Sequence, residues 1–331
     1  MIRAGDQLQI DVRLTPGELR AALREDVRTG LCASPKWLPA KWHYDEAGSL
    51  LFDQITQLPE YYPTRREREI LAARVDEIAQ LSQADTLIEL GSGTSEKTRL
   101  LLSALAAAGR LRRFVPFDVS EAILRDSATA ILAEYPGIRV CGIVGDFERH
   151  LDALPRDGRR LVAFLGGTIG NLRPPARARL LASLARSLDS GDQLLLGADL
   201  VKPRARLEAA YDDPGGFSAR FSLNLLTILN RELGADFDIS QFRHDAVWDA
   251  EHEWMEIGLV SLREQRVTLR ELEMTVEFAE GEKLHTEISA KFRRERLTAE
   301  LAAVELAPVR FWTDEAGEYS LSLWSRPQQA A

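Results

Sequence analysis

Cysteine is nearly absent from this 331-residue chain: there are two, Cys32 and Cys141, and neither belongs to a CxxC pair. That excludes a disulfide framework and a thiolate zinc site, and it fits a reducing, cytoplasmic setting. Cys141 lies in an apolar, strand-like run and is expected as a buried thiol. The five histidines, His43, His150, His244, His252 and His285, are scattered. They form no Ser-His-Asp or Cys-His arrangement, and no metal site is expected. Basic residues are in deficit, 42 Lys and Arg against 51 Asp and Glu, for a formal net charge of −9. Phosphate backbones and anionic bilayers are gripped by Lys and Arg, so neither nucleic acid nor membrane is an expected partner. No apolar run is long enough to span a bilayer, and the opening MIRAGDQLQIDVRL lacks the continuous apolar core of a secretory leader. Internal repeats and low-complexity segments are also missing.

What remains is a composition of 45% apolar and 28% charged residues, that of a soluble globular chain long enough for a sizeable core. From about residue 86 to 199, strand and helix signals alternate. Strands are expected at 87–90, 112–118, 138–146, 160–171 and 192–200, and helices at about 95–109, 120–134 and 175–188. Such alternation implies right-handed crossovers and a parallel sheet. Pro116 is awkward inside a central strand and is expected at that strand's end. Beyond 200 the alternation stops: residues 205–235 read as helical, 255–292 as several extended segments, and 309–314 with 319–325 as an antiparallel hairpin turning at Ala316-Gly317. The expected architecture is a doubly wound α/β sheet (63–199 and 286–326) with a C-terminal antiparallel hairpin. A second α+β unit is formed by 1–62 and 200–285, and Pro327–Ala331 is a frayed tail.

The most informative stretch is TLIELGSGTSEKT (86–98), where an apolar strand breaks into Gly91 and Gly93 and a helix follows. A strand, a tight glycine turn and a helix N-terminus direct unpaired N–H groups at a small polar ligand. Three ligands compete. A P-loop requires G-x-x-x-x-G-K-[ST], but Glu96 stands where its second glycine belongs. The dinucleotide fingerprint G-x-G-x-x-G fails at the same Glu96. S-adenosylmethionine, which carries no phosphate, needs close backbone approach and tolerates an acidic neighbour. A plain β–α turn is the bland alternative. Asp118 closes the second strand, where a carboxylate can accept both ribose hydroxyls. Asp146-Phe147 closes the third, where the acid can take an adenine amino group and the ring can cover the base. Each Asp alone is an ordinary cap or turn residue; together, at the carboxyl ends of parallel strands, they favour an adenosine ligand. Lys97, expected in the helix's first turn, is either a solvated lysine or a cofactor contact.

The chain resembles the histidine-specific Nα-methyltransferases of ergothioneine biosynthesis, class I S-adenosylmethionine-dependent enzymes. The resemblance runs in order through LFDQITQLPEYYPTR (51–65), LIELGSGTSEKTR (87–99), FDV (117–119), GDFE (145–148), FLGGTIGN (164–171), LLLGADLVK (194–202), AYDD (210–213) and TEISAKFR (286–293). It implies successive transfer of three methyl groups to the α-amine of L-histidine, giving trimethylhistidine (hercynine). It also implies a methyltransferase domain joined to a substrate-binding domain. Gly91, Lys97, Asp118, Asp146 and Phe147 match the family's cofactor contacts, with Gly93 in the same turn. Tyr61, Asn171, Tyr211, Glu287 and Ser289 match the histidine contacts. Tyr44, Phe52, Gly166 and Thr168 match positions near the amine and the methyl donor. An apolar wall falls near WMEIG (254–258), with Met255 or Ile257 filling it. A monomer is expected.

Those residue types suit the chemistry. In-line displacement at a sulfonium methyl needs a neutral, positioned amine rather than a covalent nucleophile, and positioning can supply about 7–11 kcal/mol. Asn171 after the glycine-rich turn can orient the amine or grip a carboxylate; read alone it is an Asn in a left-handed turn. Tyr211 can hold the carboxylate through its hydroxyl, or be a half-buried helix tyrosine. Glu287 and Ser289, two apart in a strand, share a face. They can read the two imidazole nitrogens, or be part of an ordinary exposed alternation. Tyr61, ahead of Pro63, edges the ring or simply packs. Tyr44 and Phe52 offer aromatic faces to the quaternary ammonium that forms, worth about 0.5–2 kcal/mol. Tryptophan as the substrate, a non-catalytic cofactor-binding regulator and a P-loop hydrolase are the rival readings.

Overall fold

The computed structural model describes residues 7–327, so apart from Pro327 the expected tail lies outside the described residues. In chain order the elements begin with β1 (Leu8–Val12), α1 (Pro16–Cys32), α2 (Glu46–Thr56), α3 (Pro63–Ser82), β2 (Thr86–Leu90), α4 (Thr98–Ala107), β3 (Arg113–Asp118) and α5 (Glu121–Glu134). They continue with β4 (Arg139–Val144), β5 (Arg160–Phe164), α6 (Pro174–Ser187), β6 (Gln193–Asp199), α7 (Arg204–Tyr211), α8 (Phe217–Leu233), β7 (Phe242–Asp249) and β8 (Trp254–Ser261). The last are β9 (Gln265–Leu269), β10 (Met274–Phe278), β11 (Lys283–Ala290), α9 (Arg294–Ala302), β12 (Ala307–Thr313) and β13 (Tyr319–Ser325). The chain divides into two compact units: Met1–Thr15 with Arg65–Leu200 and Phe292–Ala331, and Pro16–Thr64 with Val201–Lys291.

The first unit is an eight-stranded sheet in the order β1-β4-β3-β2-β5-β6-β13-β12. All pairs from β1 to β6 are parallel, and β13 runs antiparallel to both β6 and β12. This is the doubly wound sheet with a C-terminal antiparallel hairpin that the alternation predicts. Its central strands read as continuous apolar runs because both faces are covered: every residue of β2, β5 and β6 is buried. Order reverses between β2 and β5, so the turns after these strands open at the switch point, where ligands bind in such sheets.

Four expectations are corrected here. Residues 8–12 belong to this sheet, paired in parallel with β4, and not to the second unit. The polar, half-exposed LQIDV reads as no buried strand because it lies at the sheet's edge. Pro116 sits within β3 rather than at its end: it pairs with Glu89 of β2, and the ladder to β4 is interrupted between Phe114 and Phe117. The missing N–H is tolerated at that interruption. Residues 286–290 complete β11 and Lys291 follows it, all in the second unit, so the chain returns to the first at Phe292 rather than at 286. The Phe292 N–H donates to the Asp199 carbonyl at 2.8 Å. Cys141, expected buried, is half-buried, and Cys32 is exposed.

The second unit holds two smaller sheets, β11-β8-β7 and β10-β9, all antiparallel. The helix expected over 205–235 is two helices, α7 and α8, separated by Asp212-Asp213-Pro214-Gly215-Gly216. Pro and the paired glycines end α7. The Asp213 carboxylate then caps α8, accepting from the Phe217 and Ser218 N–H groups at 3.0 and 2.7 Å. One apolar cluster joins α1 and α8 to β8–β11; a second gathers Tyr61, Tyr62, Phe221, Met255 and Ile257.

At the amino ends of β5 and β6, Arg160 is 1% exposed and is held by the Asp192 carboxylate together with the carbonyls of Pro155 (2.7 Å) and Ser187 (2.8 Å). Truncation leaves a buried carboxylate without its cation. Arg160→Ala is therefore expected to lower unfolding free energy by about 3–5 kcal/mol in urea titration.

Candidate functional site

The glycine turn follows β2 directly. Gly91 and Gly93 adopt φ of +68° and +47°, and a Cβ on either would meet nothing within 4 Å. Glycine is thus required by backbone conformation, and the space beside the turn is open. Gly91 N–H donates to the Phe117 carbonyl at 2.8 Å, tying the turn to β3. The Ser92 hydroxyl is buried without a partner among the described residues, a polar atom left for a ligand. The helix starts at Thr98 and not near Ser95, because Ser95 is itself left-handed at φ +52°. Lys97 therefore precedes α4 rather than lying in its first turn.

Asp118 ends β3, its Oδ2 accepting from the Gly93 N–H (2.8 Å) and its Oδ1 from the Ser120 N–H (3.0 Å). A carboxylate has about four acceptor positions, so these donors leave room for a ribose hydroxyl. Burial raises the Asp118 carboxyl, and these backbone donors oppose that rise. Asp146, after β4, accepts from the Glu148 N–H at 2.9 Å, and Phe147 meets Phe164 edge-on at 5.3 Å. Open glycines, an unpartnered hydroxyl and two carboxylates make a donor and acceptor set that fits an adenosine cofactor bearing an amino acid group. Glu96 points outward, more than half exposed beside Arg68, so the loop holds neither the glycine nor the free lysine a P-loop needs.

Lys97 is paired with Glu67, a residue that sequence reasoning missed. Glu67 lies on α3 and is fully buried. Its Oε2 accepts from Lys97, and its Oε1 accepts from the Gly166 N–H (2.8 Å) and the Tyr319 hydroxyl (2.9 Å). One carboxylate thereby joins α3, the residue before α4, the turn after β5 and β13. A second missed acid is Glu89 of β2, which accepts from Ser95 (3.0 Å) and Thr98. Burial lifts Glu89 to about 7. The only outward signals were a glutamate inside an apolar strand and another on a helix of charged residues.

The turn after β5 carries Gly166 and Gly167 at φ +75° and +70°, then a 3₁₀ turn over Thr168–Asn171. Thr168 donates to the Leu165 carbonyl at 3.0 Å. Asn171 closes the turn without a left-handed φ, so the simple turn reading fails for it. The structure thus brings Gly91, Gly93, Lys97, Asp118, Asp146, Phe147, Gly166, Thr168 and Asn171 to the carboxyl ends of the parallel strands of the first unit.

The remaining candidates lie in the second unit. β11 is irregular between His285 and Glu287, then regular, pairing Glu287 with Ile257 and Ser289 with Met255 of β8. Directly opposed and alternate residues share a sheet face, so an acid, a hydroxyl and both candidate wall residues stand together. Met255 and Ile257 are both buried, as is Ser289, while Glu287 is half-buried. An exposed polar alternation is thereby excluded. Burial raises Glu287 to about 7, against the opposing pull of Lys291. Tyr211 ends α7, and its hydroxyl lies 2.7 Å from Ser289 Oγ. Lys291, a further residue missed from the sequence, donates to both, at 2.7 Å to Tyr211 and 2.8 Å to Ser289. His244 Nε2–H donates to the Tyr211 carbonyl at 2.8 Å, and Nδ1 accepts from Ser222 at 2.9 Å. Burial lowers the His244 pKa, which keeps that neutral arrangement.

Around this pair runs a chain of ring contacts. Tyr211 meets Tyr61 at 6.1 Å, Tyr61 meets Phe52 at 6.0 Å, and Phe52 meets Tyr44 at 5.6 Å. Phe221 of α8 backs Tyr44 at 5.3 Å and Phe52 at 5.9 Å.

The Glu67 junction exists because β6 carries a glycine beside it. A Cβ at Gly197 would lie 2.2 Å from Glu67 Oε1 and 2.8 Å from the Tyr319 hydroxyl. Gly197→Ala is expected to destabilise the protein by about 1–3 kcal/mol in urea unfolding, through overpacking against a carboxylate that cannot withdraw.

Residues 23–326 match the family described as "Histidine-specific methyltransferase, SAM-dependent". The chain is 57% identical over 302 residues to "Histidine N-alpha-methyltransferase" of Mycobacterium tuberculosis, covering 91% of this chain and 94% of that protein. It is 55% identical, with the same coverage, to the protein of that name from Mycolicibacterium smegmatis. "Ergothioneine biosynthesis protein 1" of Schizosaccharomyces pombe is 37% identical over 224 residues, 64% of this chain and 29% of that longer protein. With its doubly wound sheet and its glycine turn at the switch point, this chain belongs to the histidine-specific, S-adenosylmethionine-dependent methyltransferases.

Proposed function

We propose that this chain transfers three methyl groups, one at a time, from S-adenosylmethionine to the α-amino group of L-histidine. The product is trimethylhistidine (hercynine), and the reaction is the first step of ergothioneine biosynthesis. The observation that carries the reading is the pairing of a half-buried Glu287 with a buried Ser289 on one face of β11, walled by Met255 and Ile257. A neutral imidazole offers one N–H and one bare nitrogen. Glu287, whose carboxylate no described residue hydrogen-bonds, can accept the first. The Ser289 hydroxyl can meet the second. An indole offers a single donor and no acceptor, so tryptophan leaves half of this pair unmatched. The mycobacterial relatives' names support the same substrate.

S-adenosylmethionine supplies a methyl group already activated on a sulfonium. Gly91 and Gly93 admit close backbone approach, Lys97 orders the pocket through Glu67, Asp118 accepts ribose hydroxyls, and Asp146 with Phe147 takes the adenine. These roles follow from the chemistry of each group and its place at a strand end. Asn171, with Tyr44 and Thr168, orients the amine. Gly166 allows close approach to it. Tyr211 serves the carboxylate and Tyr61 the ring edge. Phe52 and Tyr44 offer their faces to the growing ammonium. No base need be invoked beyond water for an amine that arrives neutral. The cofactor-binding role falls to the first unit and ring recognition to the second. Two unpaired thiols support a reducing, cytoplasmic setting.

Mass spectrometry of L-histidine incubated with protein and S-adenosylmethionine is expected to reveal products heavier by one, two and three methyl groups. An unmodified amino acid, or methylation on the ring, would refute the reading. The pH dependence has a definite sign. Glu287 must be anionic to accept the ring N–H and is lifted to about 7 by burial, so kcat/KM is expected to fall as pH drops through about 7. Glu287→Gln is expected to raise KM for histidine at least tenfold, roughly the loss of one charged hydrogen bond, and to abolish that acidic limb. A limb unchanged in the variant would show that Glu287 does not read the ring.

A further inference from the structure

We infer that His150 is a positioning residue: its ring holds the backbone of Asp146 and thereby aims the carboxylate that reads the adenine amino group. The inference rests on the adenosine reading of the Asp146 turn given above and deepens it.

Strand β4 stops at Val144, so the N–H groups beyond it need partners from outside its ladder. Gly145 N–H finds one in the Asp118 carbonyl of β3, at 2.9 Å. The next N–H, that of Asp146, turns to a side chain instead: it donates to His150 Nδ1 at 3.0 Å. A backbone N–H only donates, so Nδ1 is the bare nitrogen and the imidazole carries its proton on Nε2. The ring also needs Gly145 beside it. A Cβ there would lie 3.2 Å from His150 Nδ1 and 3.0 Å from Phe117 Cζ, so an added methyl would press on both rings.

The turn closes on Asp146. Its carbonyl accepts from the Arg149 and His150 N–H groups, both at 2.9 Å, and its Oδ1 accepts from the Glu148 N–H at 2.9 Å. His150 thus grips Asp146 twice, its backbone at the carbonyl and its imidazole at the N–H. Two consecutive peptides are fixed on the way in, one by Asp118 and the next by His150, so any swing of the chain entering Asp146 breaks a hydrogen bond. That backbone sets where the buried Asp146 carboxylate points. Aim matters because a hydrogen bond weakens steeply as its angle closes toward about 120°. The same turn links the two acids of the cofactor end, since Asp118 holds Gly145 through its own carbonyl. Without an acceptor at position 150 that grip on the Asp146 N–H is lost, and the carboxylate settles off its aim.

The full-length protein is titrated calorimetrically with two probes. One is S-adenosylhomocysteine, the demethylated cofactor; the other is its 6-desamino analogue, in which hydrogen replaces the adenine amino group. Wild type is expected to prefer the first at least about tenfold, one hydrogen bond to a charged acceptor. His150→Leu keeps bulk but removes the acceptor, and is expected to cut that preference at least about threefold by weakening S-adenosylhomocysteine more than the analogue. His150→Asn places an amide oxygen close to where Nδ1 stands, and is expected to restore the preference to within about twofold of wild type. An unchanged preference in His150→Leu, even with weaker binding of both probes or a lower unfolding midpoint, marks a merely structural role and overturns the inference. An Asn variant no better than Leu overturns it too. A wild type that binds both probes equally overturns the adenine role of Asp146, and the inference with it; one that binds neither overturns the cofactor reading itself. Where His150→Leu does not fold, His150→Ala takes its place.

Discussion

The buried carboxylate of Glu67 is the interaction on which the cofactor end of the first unit depends. A carboxylate taken out of water is tolerable only when nearly every lone pair is used. Glu67 meets that condition with a lysine, a backbone N–H and a phenol, each from a different element. Because those donors come from the residue before α4, the turn after β5 and strand β13, satisfying one acid also sets three backbone positions around the switch point. Gly197 is part of the same constraint, since the acid and the phenol occupy the space its side chain would take. Lys97 is therefore better described as held by Glu67 than as reaching freely for a ligand.

The second unit solves a related problem differently. It buries an ammonium and a serine hydroxyl, and half-buries an acid and a phenol, beside aromatic rings and two apolar strand residues. Lys291 and Ser289 satisfy each other along one strand end, with Tyr211 brought in from α7. Glu287 is left without a hydrogen-bond donor from any described residue, and its raised pKa reflects that. An acceptor poised between its charged and neutral forms gains most from a ligand that supplies the missing donor. Stability and recognition pull in opposite directions at this residue, as expected where a site is built to be completed by its ligand.

Local patterns carried much of this legibly. Alternating apolar runs and amphipathic stretches between 86 and 199 marked the parallel sheet, and the C-terminal hairpin could be read from its two extended runs and the Gly317 turn. Gly91, Gly93 and Asp146 lie just beyond strand ends and Asp118 closes a strand, positions that the apolar runs before them make legible in the sequence. The failures have definite causes. β1 is polar enough to pass for a loop because it borrows its pairing from β4 at the sheet's edge. Pro116 reads as a strand end because propensity knows nothing of a gap in the neighbouring ladder. The single long helix over 205–235 ignored Pro214 and the two glycines after it. Lys97 reads as part of a helical turn because a left-handed Ser95 carries no sequence signal.

The sequence by itself determined element type, the place of the glycine turn, and which residues had suitable chemistry, since periodicity and turn-forming residues act over a few positions. Only the tertiary structure decided which polar groups face one another: Glu67 with Lys97 and Tyr319, and Lys291 with Tyr211 and Ser289. Those partners stand 30, 252, 80 and 2 residues apart, and only Ser289 is near enough for a local pattern to link. The rest were brought together by burial, because desolvation makes each charged or hydroxyl group seek whatever partner the fold delivers, however distant in sequence.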